Sequence, residues 1–376
     1  MMIETKPGTL LGLTLQELTA MAEGLGQPRY RGQQIFDAIY RQRVESARQI
    51  STLPADFLHT LEETGIRLGW PTIEKKFSSN DSTVRYLLAF TDGQSVETVW
   101  MPEGDGGEAG DGSEAGNPGE VNGERGRGRT TICVSSQVGC AVDCQFCLTA
   151  LLGVNRNLTA GEIVGQVCAV LNDQHVFLPQ ARVNLVFMGM GEPFLNYDNL
   201  VKAVRLLMGG VGIAESRMTV STAGIVPRIY DFGTETVRPK LAISLNAPND
   251  ELRTRLMPIN RKWNLEKLMA AARNFPLRNR ERITFEYVLL KEVNDSEQHA
   301  RELAELIRGL RAKVNLIACN PGPEIGFQTP GEQRVLRFQD ILTSAGVPAF
   351  LRRPRGRDIY AACGQLKRTT ELLQAV

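Results

Sequence analysis

The chain contains 376 residues, of which 42% are hydrophobic and 23% are charged, and its formal net charge is +1 at pH 7. This composition is ordinary for a globular protein, and the length allows a sizeable core and more than one domain. No apolar run is long enough to span a bilayer, and residues 1–6 lack the charged and apolar regions of a signal peptide, so we expect a cytoplasmic location.

The first part of the chain, residues 1–70, has the pattern of a small helical domain. Thr14 is placed to cap a helix that begins at Leu15, and Glu17 stands where a capping box needs a carboxylate. The run from Tyr30 to Tyr40 repeats apolar residues at helical spacing and is flanked by arginines. A small basic helical domain is the simplest account of this pattern, and its arginines form either a nucleic-acid contact or only a solvated charged face.

Residues 71–102 change to strand periodicity. Two β-rich runs, Val84–Phe90 and Ser95–Trp100, flank an Asp-Gly turn and predict a β-hairpin with Glu97 on its second strand. Residues 103–129 follow as a predicted flexible linker, because they are rich in glycine and nearly devoid of apolar residues. Acidic residues are concentrated in this linker, so the rest of the chain is basic, which is compatible with a nucleic-acid partner.

Strand-like and helix-like segments alternate from residue 130 onward. About six repeats of strand then helix predict an α/β fold in which helices cover a parallel sheet. In such sheets the active site lies at the carboxyl ends of the strands. We assign residues 130–355 to this domain and residues 356–376 to a C-terminal segment. The predicted strands are Arg182–Phe187, Met218–Ser221, Lys240–Leu245, Ile283–Leu289, Val314–Ile317 and Ala349–Leu351.

Three of the seven cysteines, Cys140, Cys144 and Cys147, fall within one short loop. Three thiolates can hold an iron–sulfur cube by three of its irons and leave the fourth iron open for chemistry. The alternative is a structural zinc site, which needs four ligands and would have to recruit Cys133 or Cys363. An odd number of cysteines, three of them crowded together, suits a reducing compartment and a metal site better than a disulfide scaffold. The spacing favours the cluster.

The loop Cys140-Ala-Val-Asp-Cys144-Gln-Phe-Cys147 resembles the signature of radical S-adenosylmethionine (SAM) enzymes, whose open iron binds SAM. The flanking segments 133–140 and 155–164 are similar to one family within that group, the RlmN/Cfr RNA methyltransferases, and the similarity extends from Gly12 to Leu366. The resemblance implies a partial (βα)6 barrel, a [4Fe-4S] cluster on the three cysteines and two SAM molecules per turnover. It also implies an accessory RNA-binding role for residues 1–70.

The resemblance further implies which residues bind SAM. Met188-Gly-Met-Gly-Glu-Pro193 resembles the GEP motif, in which a carboxylate accepts the ammonium of the methionine end. Asn246 is a departure, because the family usually has histidine there; asparagine keeps a donor and an acceptor but cannot titrate. The residues matching the SAM-contacting positions are Gly191, Glu192, Ser221, Ser244, Leu245, Asn246 and Asn320.

Two further cysteines match the pair that carries the methyl group in this family. Carbon 2 of adenine is electron-poor and has no nucleophilic lone pair, so direct attack on the SAM methyl is implausible, whereas a thiolate attacks it readily. The resemblance implies that Cys363 accepts the methyl group and joins it to RNA by radical chemistry. Cys133 then releases the product by forming a disulfide with Cys363, and Glu97 matches the family's proposed base. Cys168 and Cys319 are more simply buried small residues.

The resemblance predicts methylation of carbon 2 of adenosine in 23S rRNA and in the tRNA anticodon loop. An electron donor such as flavodoxin or ferredoxin and a monomeric state are expected. Methylation of carbon 8, as by Cfr, would use the same cysteines and remains the nearest alternative. A non-catalytic iron–sulfur or zinc RNA-binding protein is the alternative from another class.

Overall fold

The computed structural model describes residues 8–102, 129–322 and 324–366. The predicted linker lies, apart from Arg129, outside the described residues, and so does the end of the predicted C-terminal segment. Within the described ranges, no helix is long and apolar enough to cross a membrane.

The N-terminal helices are α1 (Leu15–Gly24), α2 (Tyr30–Phe36), which continues into a π-helical turn, and α3 (Ala55–Glu63). The predicted capping box is confirmed, because the Glu17 N–H donates to the Thr14 hydroxyl and the Thr14 N–H donates to the Glu17 carboxylate. Leu18 and Phe57 are buried in the same hydrophobic cluster as the core of the sheet. The helices therefore share one continuous core with the rest of the molecule.

An antiparallel ribbon follows, formed by β1 (Thr72–Ser78), β2 (Val84–Ala89) and β3 (Ser95–Met101). Strands β2 and β3 form the predicted hairpin, with Leu87 opposite Glu97. We did not predict β1, which is mostly exposed and carries Lys75 and Lys76 among its residues. Charges of this kind are typical of an edge strand, where they oppose pairing with another chain.

A parallel sheet forms the centre of the molecule. The remaining strands of the molecule are β4 (Arg129–Cys133), β5 (Gln137–Gly139), β6 (Val154–Asn157), β7 (Arg182–Phe187), β8 (Met218–Thr222), β9 (Lys240–Ser244), β10 (Ile283–Leu289), β11 (Ala312–Ala318) and β12 (Ala349–Arg352). The parallel strands lie in the order β4, β7, β8, β9, β10, β11 and β12, and β5 pairs with β6 in a separate small sheet. Strand β3 pairs antiparallel with β4, so the ribbon extends the same ten-stranded sheet. The predicted strands are confirmed with small changes at their ends.

Helices connect the successive parallel strands. Six strand–helix units followed by a seventh strand, β12, agree with the expected partial (βα)6 barrel. Because these strands are parallel, their carboxyl ends meet at one edge of the sheet. The helices are α4 (Ala160–Asp173), α5 (Tyr197–Leu206), α6 (Val226–Gly233), α7 (Asp250–Leu256), α8 (Leu265–Asn274), α9 (Glu297–Leu306) and α10 (Glu332–Ser344).

Candidate active site

The carboxyl ends of the parallel strands surround a cavity that has an empty volume of about 970 Å³ and opens to solvent. Most of the predicted site residues line it, although they come from distant parts of the sequence. Cys133, Glu97 and Leu245 do not line it. The predicted residues that do are Cys140, Cys144, Cys147, Gly191, Glu192, Ser221, Ser244, Asn246, Asn320 and Cys363.

Backbone hydrogen bonds hold the cysteine loop, residues 140–147, against its surroundings. The Cys140 N–H donates to the Gly153 carbonyl at 2.8 Å, which joins the loop to the start of β6. The Gln145 N–H donates to the Leu256 carbonyl at 3.0 Å, at the end of α7. Both ends of the loop are therefore fixed, and its three thiols face the cavity.

The three thiols fit an iron–sulfur cluster. Burial raises the pKa of each, that of Cys140 to about 12, so that an electropositive partner such as iron is needed to hold them as thiolates. Across residues 8–102, 129–322 and 324–366, no three His, Cys, Asp or Glu side chains converge as a single metal ion requires. In a cubane cluster each thiolate binds a different iron, so the thiols stand apart. Three thiols from one loop are the ligand set of a cluster with one open iron, whereas a structural zinc site needs a fourth ligand.

Glu192 presents a buried carboxylate at the cavity wall. Its oxygens accept hydrogen bonds from the backbone N–H groups of Ala223 at 2.6 Å and Phe194 at 3.0 Å. Burial raises the pKa of Glu192 to about 7, although these hydrogen bonds oppose the rise. Gly191 before it has a φ of +96°, and a Cβ there would stand 2.5 Å from the Gln137 side chain. The negative charge of a buried carboxylate is unfavourable unless a positive charge lies close to it. Glu192 therefore suits an ammonium group, such as the one at the methionine end of SAM.

Hydroxyl and amide groups also line the cavity. The hydroxyls of Ser221, on β8, and Ser244, at the end of β9, are 3.4 Å apart. Asn320, after β11, is only 7% exposed, and its side-chain oxygen has no hydrogen-bond partner. Buried polar atoms are normally satisfied, so this acceptor is available to a polar ligand such as an adenosyl group.

Asn246 lies in a left-handed backbone conformation, with a φ of +59°. Its side-chain oxygen accepts the Val288 N–H at 2.8 Å, and its amide lies 3.2 Å from the Met257 sulfur. Asparagine and histidine are both enriched in this region of φ and ψ, which explains why one can stand where the family usually has the other. Leu245 is fully buried, and its backbone groups bond to Glu286 and Arg253.

Cys133 and Cys363 come close together although they lie at opposite ends of the barrel sequence. Cys133, the last residue of β4, is buried, and the backbone N–H of Met188 donates to its thiol. Burial, and to a lesser extent the neighbouring Cys363, raises the pKa of Cys133 to about 12. The positive charge of Arg352 opposes this rise. Cys363 is exposed at the cavity wall. All seven cysteines are free thiols in this structure.

The segment that carries Cys363 is held by the residues that follow the cysteine loop and by the segment that follows β11. The Leu148 N–H donates to the Gly364 carbonyl at 2.8 Å, and the Thr149 hydroxyl donates to the Leu366 carbonyl at 2.7 Å. The Gln365 amide donates to the Pro321 carbonyl at 2.9 Å. Because Leu148 directly follows Cys147, these bonds keep Cys363 beside the cluster site.

Glu97 lies outside the cavity lining. Its carboxylate accepts a hydrogen bond from Arg85 at 2.6 Å, and both side chains are 0% exposed. The Arg85 guanidinium also lies over the Phe77 ring. In this conformation the carboxylate is an ion-pair partner inside the ribbon, and a role as base requires a rearrangement that brings it to the substrate.

Two arginines lie beside the site in surroundings that no local sequence pattern indicates. Arg352, at the end of β12, lines the cavity and pairs with Glu286 at 3.4 Å. Arg253, on α7, is fully buried behind the ends of β8 and β9. Arginine is normally a surface residue, so the sequence offers no local signal for the burial of Arg253, which depends on the strand ends that surround it.

The parallel β/α sheet, the three-cysteine loop and the buried carboxylate at the carboxyl ends of the strands together define a radical SAM enzyme. The pattern of the Radical SAM superfamily matches residues 134–304. A crystal structure of a radical SAM methyltransferase from Sphaerobacter thermophilus has a TM-score of 0.85 and 42% sequence identity, covering 96% of this chain and 100% of that one.

Curated relatives match over nearly the full length. The probable dual-specificity RNA methyltransferase RlmN of Koribacter versatilis is 67% identical over 92% of this chain and 98% of its own length. The dual-specificity RNA methyltransferase RlmN of Syntrophobacter fumaroxidans is 43% identical over 96% of this chain and 98% of its own length. The chain belongs to the RlmN family of radical SAM methyltransferases, which use a [4Fe-4S] cluster and SAM.

Proposed function

We propose that this enzyme methylates carbon 2 of adenosine in the peptidyl-transferase region of 23S rRNA and in the tRNA anticodon loop. The observation that carries the proposal is the placement of Cys363 on the cavity wall with the three-cysteine loop, within electrostatic range of the buried Cys133 thiol. A methyltransferase acting on a nucleophilic atom needs only SAM and an orienting site. A protein-borne thiol is needed where the target carbon cannot attack the methyl group itself.

Each part of the cavity has a role in this proposal. Cys140, Cys144 and Cys147 hold the cluster, and Gly191 with Glu192 holds the methionine end of SAM. Ser221, Ser244, Leu245, Asn246 and Asn320 form the rest of the SAM site, Leu245 through its backbone. The bound cluster and SAM supply the methyl group and the one-electron chemistry, and the protein supplies alignment.

The two remaining cysteines carry the methyl group and release the product. The Cys363 thiolate accepts a methyl group, and the carbon of that group gives up one hydrogen atom and becomes bonded to carbon 2 of the adenine ring. The ring must then lose one electron, which the bound cluster would accept, and its proton, and we propose that Glu97 accepts this proton once the carboxylate is brought to the substrate. The Cys133 thiolate finally attacks the Cys363 sulfur and a disulfide forms, while the carbon keeps the electron pair of the broken sulfur–carbon bond and takes up a proton, which completes the methyl group.

The partners of the enzyme follow from the same proposal. RNA is the macromolecular substrate, a flavodoxin or ferredoxin supplies electrons, and the enzyme acts as a monomer. We propose that residues 1–70 form an accessory RNA-binding domain beside the hairpin region 71–102 and the barrel 130–355. Exposed arginines such as Arg29, Arg41 and Arg48 pair there with acidic neighbours. Exposed pairs are weak, so RNA phosphates can displace the carboxylates.

The proposal is tested with SAM whose methyl group carries three deuterium atoms. The anaerobically reconstituted enzyme is incubated with reductant, this SAM and an rRNA or tRNA fragment, and the methyladenosine is identified by chromatography and mass spectrometry. We expect a product at carbon 2 that retains only two deuterium atoms, because one is lost from the methyl group while Cys363 carries it.

Each of the other outcomes of this experiment would lead to a different conclusion. A product at carbon 8 would assign the enzyme to the Cfr type of reaction. Retention of all three deuterium atoms would refute the radical route, because a direct transfer keeps the methyl group intact. An enzyme with a complete cluster that methylates neither RNA would contradict the proposed substrates.

A further inference from the structure

Arg253 is a buried cation that joins the ends of two neighbouring strands. Its side chain is 0% exposed. One terminal nitrogen, Nη2, donates to the Ala223 carbonyl at 2.7 Å and the Ser244 carbonyl at 3.2 Å, and Nε donates to the Leu245 carbonyl at 3.1 Å. The other terminal nitrogen donates to the Asn260 side-chain oxygen at 2.9 Å. The guanidinium therefore binds the backbone that follows both β8 and β9.

The Ala223 peptide transmits this anchoring to the cavity. Its carbonyl accepts from Arg253, and its N–H donates to the Glu192 carboxylate at 2.6 Å. Ser244 on the neighbouring strand lines the cavity and accepts from the same guanidinium nitrogen as Ala223. Arg253 is therefore linked to Glu192 through a single residue, Ala223, and it contacts the backbone of the SAM site directly.

The charge of Arg253 has no ion-pair partner among the residues that the structure describes. Its hydrogen bonds go to three carbonyls and one amide, which are neutral groups. Burying a charge is costly unless an opposite charge lies near. Burial lowers the pKa of Arg253 to about 10. The negative charges of Cys144 and, more weakly, Asp250 oppose this lowering. The helix that carries Arg253 also holds the cysteine loop, because the Leu256 carbonyl at the end of α7 accepts the Gln145 N–H at 3.0 Å. The guanidinium therefore lies on the element that packs against the loop.

We propose that Arg253 is a positioning residue of the active site, which holds the strand ends around SAM and balances the negative charge of the thiolate-bound cluster. The inference rests on the proposed use of the cavity for the cluster and SAM. Removing the guanidinium frees the Ala223 and Ser244 peptides, so that Glu192 loses its orientation. It also removes the positive charge beside Cys144, so that adding an electron to the cluster becomes less favourable.

Arg238 offers a matched control. It is also buried, at 3% exposed, and its guanidinium packs on the Phe275 ring. It pairs with Glu281 at 2.7 Å. Arg238 precedes β9, so it lies at the amino ends of the strands, away from the cavity. Its loss should affect stability without affecting the site.

The test compares Arg253→Met, Arg253→Lys and Arg238→Met with the unchanged enzyme, each reconstituted anaerobically. SAM binding is measured by equilibrium dialysis, the cluster's reduction potential by a redox titration followed by electron paramagnetic resonance, and folding by circular dichroism. For Arg253→Met we expect SAM affinity to fall about tenfold, as for the loss of one or two buried charged hydrogen bonds, and the potential to become more negative. For Arg238→Met we expect neither change.

The lysine variant keeps the inference falsifiable if Arg253→Met fails to fold. Lysine retains the charge but not the fork of donors that spans two strand ends, so we expect the potential to be nearly kept and SAM affinity to fall. SAM affinity equal to that of the unchanged enzyme in Arg253→Lys, or an equal loss in Arg238→Met, would overturn the inference. If the unchanged enzyme itself does not bind SAM, the proposed function fails and the inference fails with it.

Discussion

Asp81 accepts a hydrogen bond from the backbone N–H of Gly356 at 3.0 Å, although the two residues are 275 positions apart in the sequence. The same carboxylate oxygen accepts from Arg355 Nε at 3.1 Å. Asp81 lies in the turn between β1 and β2, and Gly356 lies shortly before Cys363. The antiparallel ribbon therefore anchors the segment that carries the proposed methyl acceptor.

Replacing Asp81 with alanine should impair the positioning of Cys363. We expect methylation of Cys363 to slow on the order of tenfold, because small misplacements of reacting groups have large effects on rate. SAM binding should be unchanged, since Asp81 does not line the cavity. Mass spectrometry of the protein after incubation with SAM measures the methylation. Asp231→Ala, which breaks an exposed pair with Arg228, is the control; equal rates in the two variants would contradict the anchoring role.

The Asp81 carboxylate should also make stability depend on acidity. Burial alone would raise its pKa, but hydrogen bonds from Thr83, Gly356 and Ser79 lower the pKa from 3.8 to about 2. A lowered pKa in the folded state means that the stabilisation is present above pH 3.8 and is lost as the pH falls towards 2. Urea unfolding of the unchanged protein and of Asp81→Asn should differ at neutral pH and converge below pH 3.8. A difference independent of pH would contradict this.

Cys144 is expected to be essential for the cluster. In Cys144→Ala the iron content and the visible absorbance after reconstitution should fall sharply, because only two thiolates of the loop remain. Cys168→Ala is the matched control, since Cys168 is fully buried in α4 and lies outside the cavity lining. That variant should lose only about 1 kcal/mol of stability and keep its cluster. Normal iron content in Cys144→Ala would refute the cluster assignment.

Cys133 and Cys363 are expected to fail in different ways when replaced by alanine. Cys133→Ala should accumulate RNA covalently linked to Cys363, because the attack that breaks the sulfur–carbon bond is missing. Cys363→Ala should form neither the adduct nor methylated RNA. Denaturing gel electrophoresis with labelled RNA distinguishes the two. Normal turnover by Cys133→Ala, or any methylated product from Cys363→Ala, would exclude the proposed roles.

Glu97 has two separable roles, as ion-pair partner and as proposed base. Glu97→Ala leaves the buried Arg85 without this partner and should lower the free energy of unfolding by about 3–5 kcal/mol. Glu97→Gln keeps a hydrogen-bond acceptor of the same shape, so it should fold and yet accumulate the RNA adduct. Unfolding experiments and the gel assay measure the two effects. A folded Glu97→Gln that turns over normally would leave Glu97 with the structural role alone.

Asn246 should tolerate histidine better than alanine. Both asparagine and histidine adopt the left-handed backbone found here and can accept the Val288 N–H, whereas alanine leaves this N–H without its acceptor. We expect Asn246→His to bind SAM within a few-fold of the unchanged enzyme and Asn246→Ala to bind on the order of tenfold more weakly. Equilibrium dialysis with SAM checks the order; equal affinities would show that the side chain is not needed.

Local patterns determined much of this protein. The capping box at Thr14 and Glu17 and the hairpin around Asp92-Gly93 depend on residues a few positions apart, and the structure has both. The alternation of strand-like and helix-like segments predicted the parallel sheet, and the spacing of the three cysteines indicated the cluster loop. These features can be predicted from the sequence because the interacting residues are neighbours in the chain.

Long-range contacts decided the rest. Only the fold joins the ribbon to the barrel sheet and brings Cys133 to Cys363, and only the fold buries Glu97 against Arg85. The burial of Arg253 depends in the same way on the carbonyls of two strand ends. Burial and pairing are set by residues that are distant in sequence and adjacent in space, so no local pattern carries them.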